Sequence, residues 1–303
     1  MKAFLLEPYI ASAVWGGRRL IEDWGMNTQK PNAAEAWVLS CHAAGQSLAQ
    51  GVPLGRLLSE HPEYLGALAA DEFPILVKLI DARDDLSVQV HPTAEYCAAT
   101  GKGQPKTECW LILDCEPGAR LAMGFNQDVT REQVRAALED DSIMELVNFV
   151  PVKRGDFFFI PAGTLHAIGK GILLAEVQQS SDTTYRLYDY NRPGMDGKPR
   201  PLHVEEALGC LDFEKQPPRE SEQSDYGVLC ACPEFRVERL RVEDGGELED
   251  DDSFRVLLVL SGVGELHQGG DVLALGKGDC VFLPANSGAF RLSGELELLL
   301  VSP

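Results

Sequence analysis

The chain of 303 residues is 45% hydrophobic and 24% charged, the profile of a soluble globular protein with one large or two medium domains and core enough to fold without disulfides or a structural metal. Its apolar runs, such as Val256–Leu260 and Leu296–Val301, are far short of a bilayer span. The 47 acids and 27 bases leave a net charge of −20, which argues against nucleic acid or an anionic membrane as a partner but leaves room for a small phosphorylated ligand in a locally positive pocket.

In chain order, the opening residues Met1–Pro8 hold no extended apolar segment, so no secretory leader is expected. Short strands are expected at Ile75–Ile80, Ser87–Val90, Cys109–Asp114, Asp156–Pro161, Leu173–Gln178, Arg236–Val242, Arg255–Ser261, Cys280–Pro284 and Leu296–Val301, each bounded by Gly, Pro, Asn or Asp. Helical signals are few. Leu54–Glu60 is one; the other is a capping box at Thr130–Gln133, followed by apolar spacing through Val134, Ala137, Leu138, Ile143, Leu146 and Val147, predicting one helix or a pair of helices over about 130–148 that ends before Pro151. Lys215–Asp225 is polar, carries a Pro pair and has no periodicity, so it reads as a linker. Residues 212–252 hold 14 acids and 5 bases, a solvated face or linker.

The eight cysteines form no C-x-x-C pair, and reduced thiols in a cytoplasmic protein are expected. Cys109 and Cys115 lie in an apolar run and read as core. Cys230-Ala-Cys232 puts two thiols on one face of a strand, where a redox or metal role is the alternative to a structural one.

An internal repeat carries most of the information about architecture. Gly155-Asp-Phe-Phe-Phe-Ile-Pro161 and Gly278-Asp-Cys-Val-Phe-Leu-Pro284 share a Gly-Asp turn, an apolar strand and a terminating Pro. Upstream, Trp110–Gly118 resembles Val256–Gly264 in hydrophobic pattern. The fold expected is mainly β: two cupin (jelly-roll β-barrel) domains in tandem, residues 1–214 with the small helical segment and residues 226–303, joined by 215–225. In this alignment His166 meets Ala289 and Glu108 meets Phe254, so the chemistry is assigned to the first barrel and the second is expected to lack metal ligands.

Gly155-x5-Pro161-x-Gly163-x2-His166 has the spacing that turns a histidine into a cupin barrel. In Ser87-Val-Gln89-Val-His91 the period of two places three polar side chains on one face, a costly arrangement inside an apolar fold unless they bind something. Gln89, His91, Glu108 and His166 together offer two imidazoles, a carboxylate and an amide oxygen. That set suits one Zn²⁺ per chain, and equally Mn²⁺, Fe²⁺ or Co²⁺.

With Val14-Trp-Gly-Gly17, Ala34-Glu-Ala-Trp37, Leu76–Asp81, Leu86–Pro92, Lys106-Thr-Glu-Cys-Trp110, Pro161–His166 and Gln179–Asp189, the chain resembles the type I mannose-6-phosphate isomerases (phosphomannose isomerases) of the short bacterial form, over residues 1 to about 210. The resemblance implies a zinc site at Gln89, His91, Glu108 and His166, a catalytic Arg186, a substrate pocket lined by Ser87 and Lys106, and an acidic pocket residue at Glu176. It further implies interconversion of mannose 6-phosphate and fructose 6-phosphate. One departure is Ala33-Ala34, where many members carry Gly.

Moving a proton between C1 and C2 of an opened sugar through a cis-enediol needs charge stabilisation on the oxygens and an acid/base group. Glu176 and Lys106 are the candidates for that group. Arg186, always charged, is read as holding phosphate or enediolate oxygens. Lys102, Arg192, Lys198 and Arg200 are further candidates for phosphate contact, though each taken alone reads as a solvated loop charge, and His42, His61, His203 and His267 read as surface or capping residues. A non-catalytic phosphosugar-binding or regulatory cupin is the competing reading, against which the proton-shuttling residues weigh. A cupin oxygenase is the third, against which Gln89-x-His91 weighs, since an H-x-H pair is usual there. No oligomeric state is implied.

Overall fold

The computed structural model describes residues 1–68, 73–217, 222–223 and 226–303. Three antiparallel sheets make up the described chain. A seven-stranded sheet runs in the order Glu222–Gln223, Asp156–Ile160, Glu108–Cys115, Ile172–Gln179, Ile75–Ala82, Glu35–Leu39, Tyr9–Ala11. A five-stranded sheet runs Val147–Pro151, Arg120–Phe125, His166–Ala167, Val88–Val90, Tyr185–Tyr188. A ten-stranded sheet holds the C-terminal strands, and the chain's two ends meet in it, where Phe4–Glu7 runs antiparallel to Cys280–Leu283.

Period-2 alternation decides which side chains meet. The five- and seven-stranded sheets face each other across a core of Ile80, Trp110, Ile112, Leu121, Met123 and Ile168. On the reverse of the five-stranded sheet, Val88 and Val90 are buried with Val134 and Ala137 of the helix Arg131–Glu139 and with Leu208 of Val204–Cys210. The reverse of the seven-stranded sheet, through Val77, Leu79, Leu111 and Val177, packs against Val256, Leu258 and Leu299 of the ten-stranded sheet. Ile75–Ala82 is therefore buried along its whole length, as an apolar run of that kind predicts. At the seam, Phe254 stacks on Phe282 at 5.3 Å and touches Phe73 at 5.0 Å between ring centroids.

The two repeat copies fold into the same turn. Asp156 Oδ2 accepts from the Lys153 amide and Asp279 Oδ2 from the Gly276 amide, both at 2.8 Å, and Gly155 and Gly278 take φ of +89° and +92°. Eight residues after each of these glycines, Gly163 and Asn286 both adopt positive φ. The strand pairing corrects the upstream alignment by one residue. Ile160 lies opposite Glu108, whereas its counterpart Leu283 lies opposite Arg255 and not Phe254. The equivalent of Glu108 is thus a buried arginine that donates to the Glu249 carbonyl, a cation where the first copy has a carboxylate.

The capping box at Thr130 is formed, with Gln133 N–H donating to Thr130 Oγ1 at 3.2 Å. The helix it starts is shorter than expected: it ends at Glu139, a 3₁₀ turn covers Ile143–Leu146, and Val147–Pro151 is a strand on the edge of the five-stranded sheet. Ile143 and Leu146 stay helical, while from Val147 onward the edge of Arg120–Phe125 takes the chain into a strand. Leu54–Glu60 is helical as expected, while Ala94–Thr100 and Val204–Cys210 are helices without a sequence expectation. Ala33 and Ala34 are fully buried; Gly16 makes room, since a Cβ there would lie 2.5 Å from that of Ala34. Of the expected linker, Lys215 and Gln216 are tied by backbone amides to Asp128 and Phe125, and residues 218–221 and 224–225 lie outside the described residues.

Removing the Phe254 ring should leave a cavity between the sheets. Phe254→Ala is expected to destabilise the protein by roughly 3–5 kcal/mol, read as a lower urea midpoint at unchanged slope.

Candidate active site

Hydrogen-bonded register brings the candidate residues onto one wall. In the five-stranded sheet His166 lies directly opposite Gln89, and Gln89 directly opposite Arg186 on its other side. Directly opposed residues share a face, so His166, Gln89 and Arg186 form one lateral row with Ser87 and His91 on either side of it along the strand. Val88 and Val90 turn away into the helical core, which is why the alternation survives burial on both faces.

Glu108 approaches from the facing sheet. His91 Nε2 lies 3.3 Å from Glu108 Oε2, and His166 Nε2 lies 3.4 Å from Glu108 Oε1. One ligand atom from each of His91, Glu108 and His166 falls within 4.8 Å of the others, and all three side chains are buried. The Gln89 amide completes the wall, with Nε2 3.3 Å from His166 Nε2 and Oε1 accepting from Ser87 Oγ at 3.3 Å. A half-turn of that amide exchanges its oxygen and nitrogen.

Both imidazoles are held in one tautomer. His91 Nδ1 lies 2.9 Å from the Thr183 carbonyl and His166 Nδ1 2.9 Å from the Thr164 carbonyl. A carbonyl only accepts, so each Nδ1 carries the proton and each Nε2 lone pair points into the cluster. The Glu108 oxygens are buried and accept no hydrogen bond, an expensive condition for a carboxylate unless a cation faces it. The donor set, the fixed tautomers and the orphaned carboxylate all fit a divalent metal ion.

Lys106 adds the resident positive charge, its Nζ 2.8 Å from Glu108 Oε2 and 3.1 Å from His91 Nε2. Burial and then the Lys106 charge pull the His91 imidazole down to about 3, and burial lowers His166 as well. Burial alone would raise the Glu108 carboxyl; Lys106 and the imidazoles outweigh it and hold it well below the usual range.

Glu176 sits one register step deeper, opposite both Trp110 and Lys78. Trp110 Nε1 donates to Glu176 Oε2 at 2.9 Å, and Lys78 Nζ pairs with Glu176 Oε1 at 3.0 Å and reaches Glu35 Oε2 at 3.9 Å. Burial would lower the Lys78 ammonium, but Glu176 and Glu35 raise it well above the ordinary lysine value. Lys78, Glu35 and Trp110 had no role in the sequence reading. Their signal was a lysine inside the otherwise apolar run Ile75–Ile80 and the alternation of Glu35-Ala-Trp37.

Arg186 is half-buried. Its Nε donates to Ser87 Oγ at 3.3 Å and one terminal nitrogen to the Pro201 carbonyl at 2.9 Å, and among the described residues no carboxylate lies within ion-pair distance. Arg192 and Arg200, by contrast, are not free loop charges: both close on the buried Asp189, at 2.9 and 2.6 Å. Lys102 pairs with Glu206, and Lys198 is exposed.

Fold and site together define a cupin-type protein with a buried His-Glu-His centre. Residues 3–109 match the family model for the phosphomannose isomerase type I catalytic domain, and residues 228–303 that for the mannose-6-phosphate isomerase cupin domain. The chain is 37% identical to a mannose-6-phosphate isomerase of Bacillus subtilis, over 97% of this chain and 96% of the relative. It is 36% identical to a mannose-6-phosphate isomerase of Streptococcus mutans, again over 97% and 96%. The crystal structure of a mannose 6-phosphate isomerase from Bacillus subtilis superposes with a TM-score of 0.91 at 30% identity, covering 99% of both chains. The chain belongs to the type I phosphomannose isomerase family, a family of enzymes.

The lowered imidazoles have a consequence for stability. Between about pH 6.5 and their depressed values, the unfolded chain binds protons that folded His91 and His166 refuse, so stability is lost as the pH falls. Glu108, held low, acts in the same direction below about pH 4.5. In chelator-treated protein the unfolding free energy from urea titrations should drop between pH 7 and pH 5 by roughly 2 kcal/mol on account of His91, with His166 acting in the same direction. A flat profile would contradict the burial of neutral imidazoles.

Proposed function

We propose that the chain is a zinc-dependent aldose-ketose isomerase that interconverts mannose 6-phosphate and fructose 6-phosphate through a cis-enediol. The observation that carries this is the buried His91–Glu108–His166 cluster with Gln89 and an unpaired guanidinium, Arg186, in the same row. Membership of the family supports the substrate.

His91, Glu108 and His166, with the Gln89 amide oxygen after its half-turn, would hold the ion. A bound divalent cation supplies Lewis-acid stabilisation of negative charge on the sugar oxygens. Mn²⁺, Fe²⁺ or Co²⁺ would satisfy the same donors, and zinc is the reading the family favours. Arg186 and Ser87 bind the substrate, the guanidinium taking phosphate or enediolate oxygens in place of the carboxylate it lacks. Lys106, whose Nζ lies beside Glu108 and His91, is assigned to proton transfer. Glu176, engaged at both oxygens by Trp110 and Lys78, orients the pocket and is the second candidate for the base. Residues 1–214 would carry this chemistry, with 226–303 as a second cupin domain without ligands.

Chelation should abolish conversion of mannose 6-phosphate to fructose 6-phosphate in a coupled assay, and added Zn²⁺ should restore it. His166→Ala should lower both metal content and rate. Full occupancy by metal in that variant would remove His166 from the ligand set. Arg186→Ala should reduce turnover by roughly 100-fold with metal content unchanged, and an unaltered rate would take Arg186 out of the site.

A further inference from the structure

We propose that Asp189 is a positioning residue for the isomerase reaction: its carboxylate ties the neck of the excursion 189–200 and thereby holds residues 201–203 around Arg186. The inference rests on the reading of Arg186 as a substrate-binding group. Three bonds from the returning segment fix that residue. The Pro201 carbonyl accepts from a terminal guanidinium nitrogen at 2.9 Å, the His203 amide donates to the Arg186 carbonyl at 2.7 Å, and the Arg186 amide donates to His203 Nδ1 at 3.3 Å. From the sheet, Ser87 Oγ accepts from Arg186 Nε at 3.3 Å. A guanidinium that meets a planar anion needs its plane set, and the Pro201 carbonyl is what holds its tip.

The excursion leaves the strand Tyr185–Tyr188 through a turn that its own residues do not favour. The Arg192 amide bonds back to the Asp189 carbonyl at 3.2 Å, and the two residues between, Tyr190 and Asn191, take left-handed φ of +56° and +52°. A Cβ makes that conformation costly, above all for the tyrosine, and it persists only where other contacts impose it. Asp189 supplies them. Its buried carboxylate accepts four hydrogen bonds: from Arg192 Nε at 3.1 Å and a terminal nitrogen at 2.9 Å, and from Arg200 Nε at 2.7 Å and a terminal nitrogen at 2.6 Å. Beyond this clip the two arms pair at Pro193 and Pro199, and the Gly194 amide donates to the Lys198 carbonyl at 2.6 Å.

The consequence is mechanical. Arg200 directly precedes Pro201, so the carboxylate that fixes Arg200 fixes the start of the segment that grips Arg186. Past His203 the chain enters the helix Val204–Cys210, whose Leu208 is buried with Val88 and Val90 behind the five-stranded sheet. The segment 201–203 is thus anchored at both ends, by the clip and by the helix. Opening the clip leaves Arg186 on its strand, opposite Gln89, and removes what orients its guanidinium. Direct contact of Arg192 or Arg200 with the substrate is the rival account, and it predicts a loss that does not depend on Arg186.

The test is a double-mutant cycle on the full-length protein loaded with Zn²⁺. Asp189→Asn keeps the shape of the side chain and removes its charge. It is expected to lower kcat/KM for mannose 6-phosphate by roughly 10–100-fold, with metal content unchanged. In the Arg186→Ala background the same substitution should cost less than about 2-fold, because no guanidinium is left to aim. Hydrogen exchange gives a readout that needs no turnover: the amides of Arg186 and His203 should exchange faster in Asp189→Asn, while those of Glu108–Cys115 keep their rates. If Asp189→Asn does not fold, Arg200→Gln opens one side of the clip and enters the same cycle. The proposal is overturned if the loss is as large in the Arg186→Ala background, as direct substrate contact by Arg192 or Arg200 or a general loosening of the fold would give. It is equally overturned if the amides of Arg186 and His203 keep their protection. A natural chain without turnover would overturn the isomerase reading instead, and the exchange result then decides the clip alone.

Discussion

A carboxylate buried without a hydrogen bond governs the first half of this molecule. Both Glu108 oxygens lie out of reach of water and of any well-placed donor. An ionised group in that position costs several kcal/mol unless cations surround it. The surroundings answer this in detail. Lys106 stands against one oxygen, two imidazoles face the pair with their lone pairs inward, and carbonyls at Thr164 and Thr183 keep those imidazoles from turning. Apolar residues such as Trp110, Ile112 and Met123 pack in the same interior, so the charges present act on one another strongly.

The same strand serves two interiors. Glu108 and Trp110 face the site, while Cys109 and Leu111 face the packing against the C-terminal sheet. A shift of one residue in its register would send the carboxylate into the apolar seam and the apolar side chains into the site. The pairing of Glu108–Cys115 with Asp156–Ile160 on one side and Ile172–Gln179 on the other holds that register. The C-terminal sheet therefore supports the site without contributing to it: it covers the back of the strands whose fronts carry the polar groups. The second repeat copy keeps the turn and the strand but places Arg255 where Glu108 stands, so it could not hold a cation in the same way.

Much of this was readable from residue order. The Gly-Asp turn and the Pro that ends the strand are local features whose geometry depends on neighbours in sequence, and both copies show them; the histidine five residues on belongs to the first copy alone. The alternation in Ser87–His91 was readable because one face of that strand is polar and the other is not. Where pattern was ambiguous the reading failed. Helical spacing continues to Val147, yet only Ile143–Leu146 keeps a helical turn, and the edge of a sheet over twenty residues upstream takes Val147 into a strand. The alignment of Glu108 with Phe254 was off by one because hydrophobic similarity does not register a strand, whereas hydrogen bonds do. Lys78 and Glu35 went unassigned, since a charged residue in an apolar run gives no hint of the partner that neutralises it.

Sequence alone determined the local elements of this protein: a mainly β chain, a duplicated turn-strand unit, and a run, Ser87–His91, whose polar side chains share one face. These follow from short-range sterics and from periodicity, which need no knowledge of distant contacts. Only the tertiary structure decided that Arg186 stands beside Gln89 with no carboxylate in ion-pair distance among the described residues while Arg192 and Arg200 are spent on Asp189, and that Lys78 bridges Glu176 and Glu35. Each of these depends on which strands pair and in what register, a property of long-range hydrogen bonding and packing that no single segment carries.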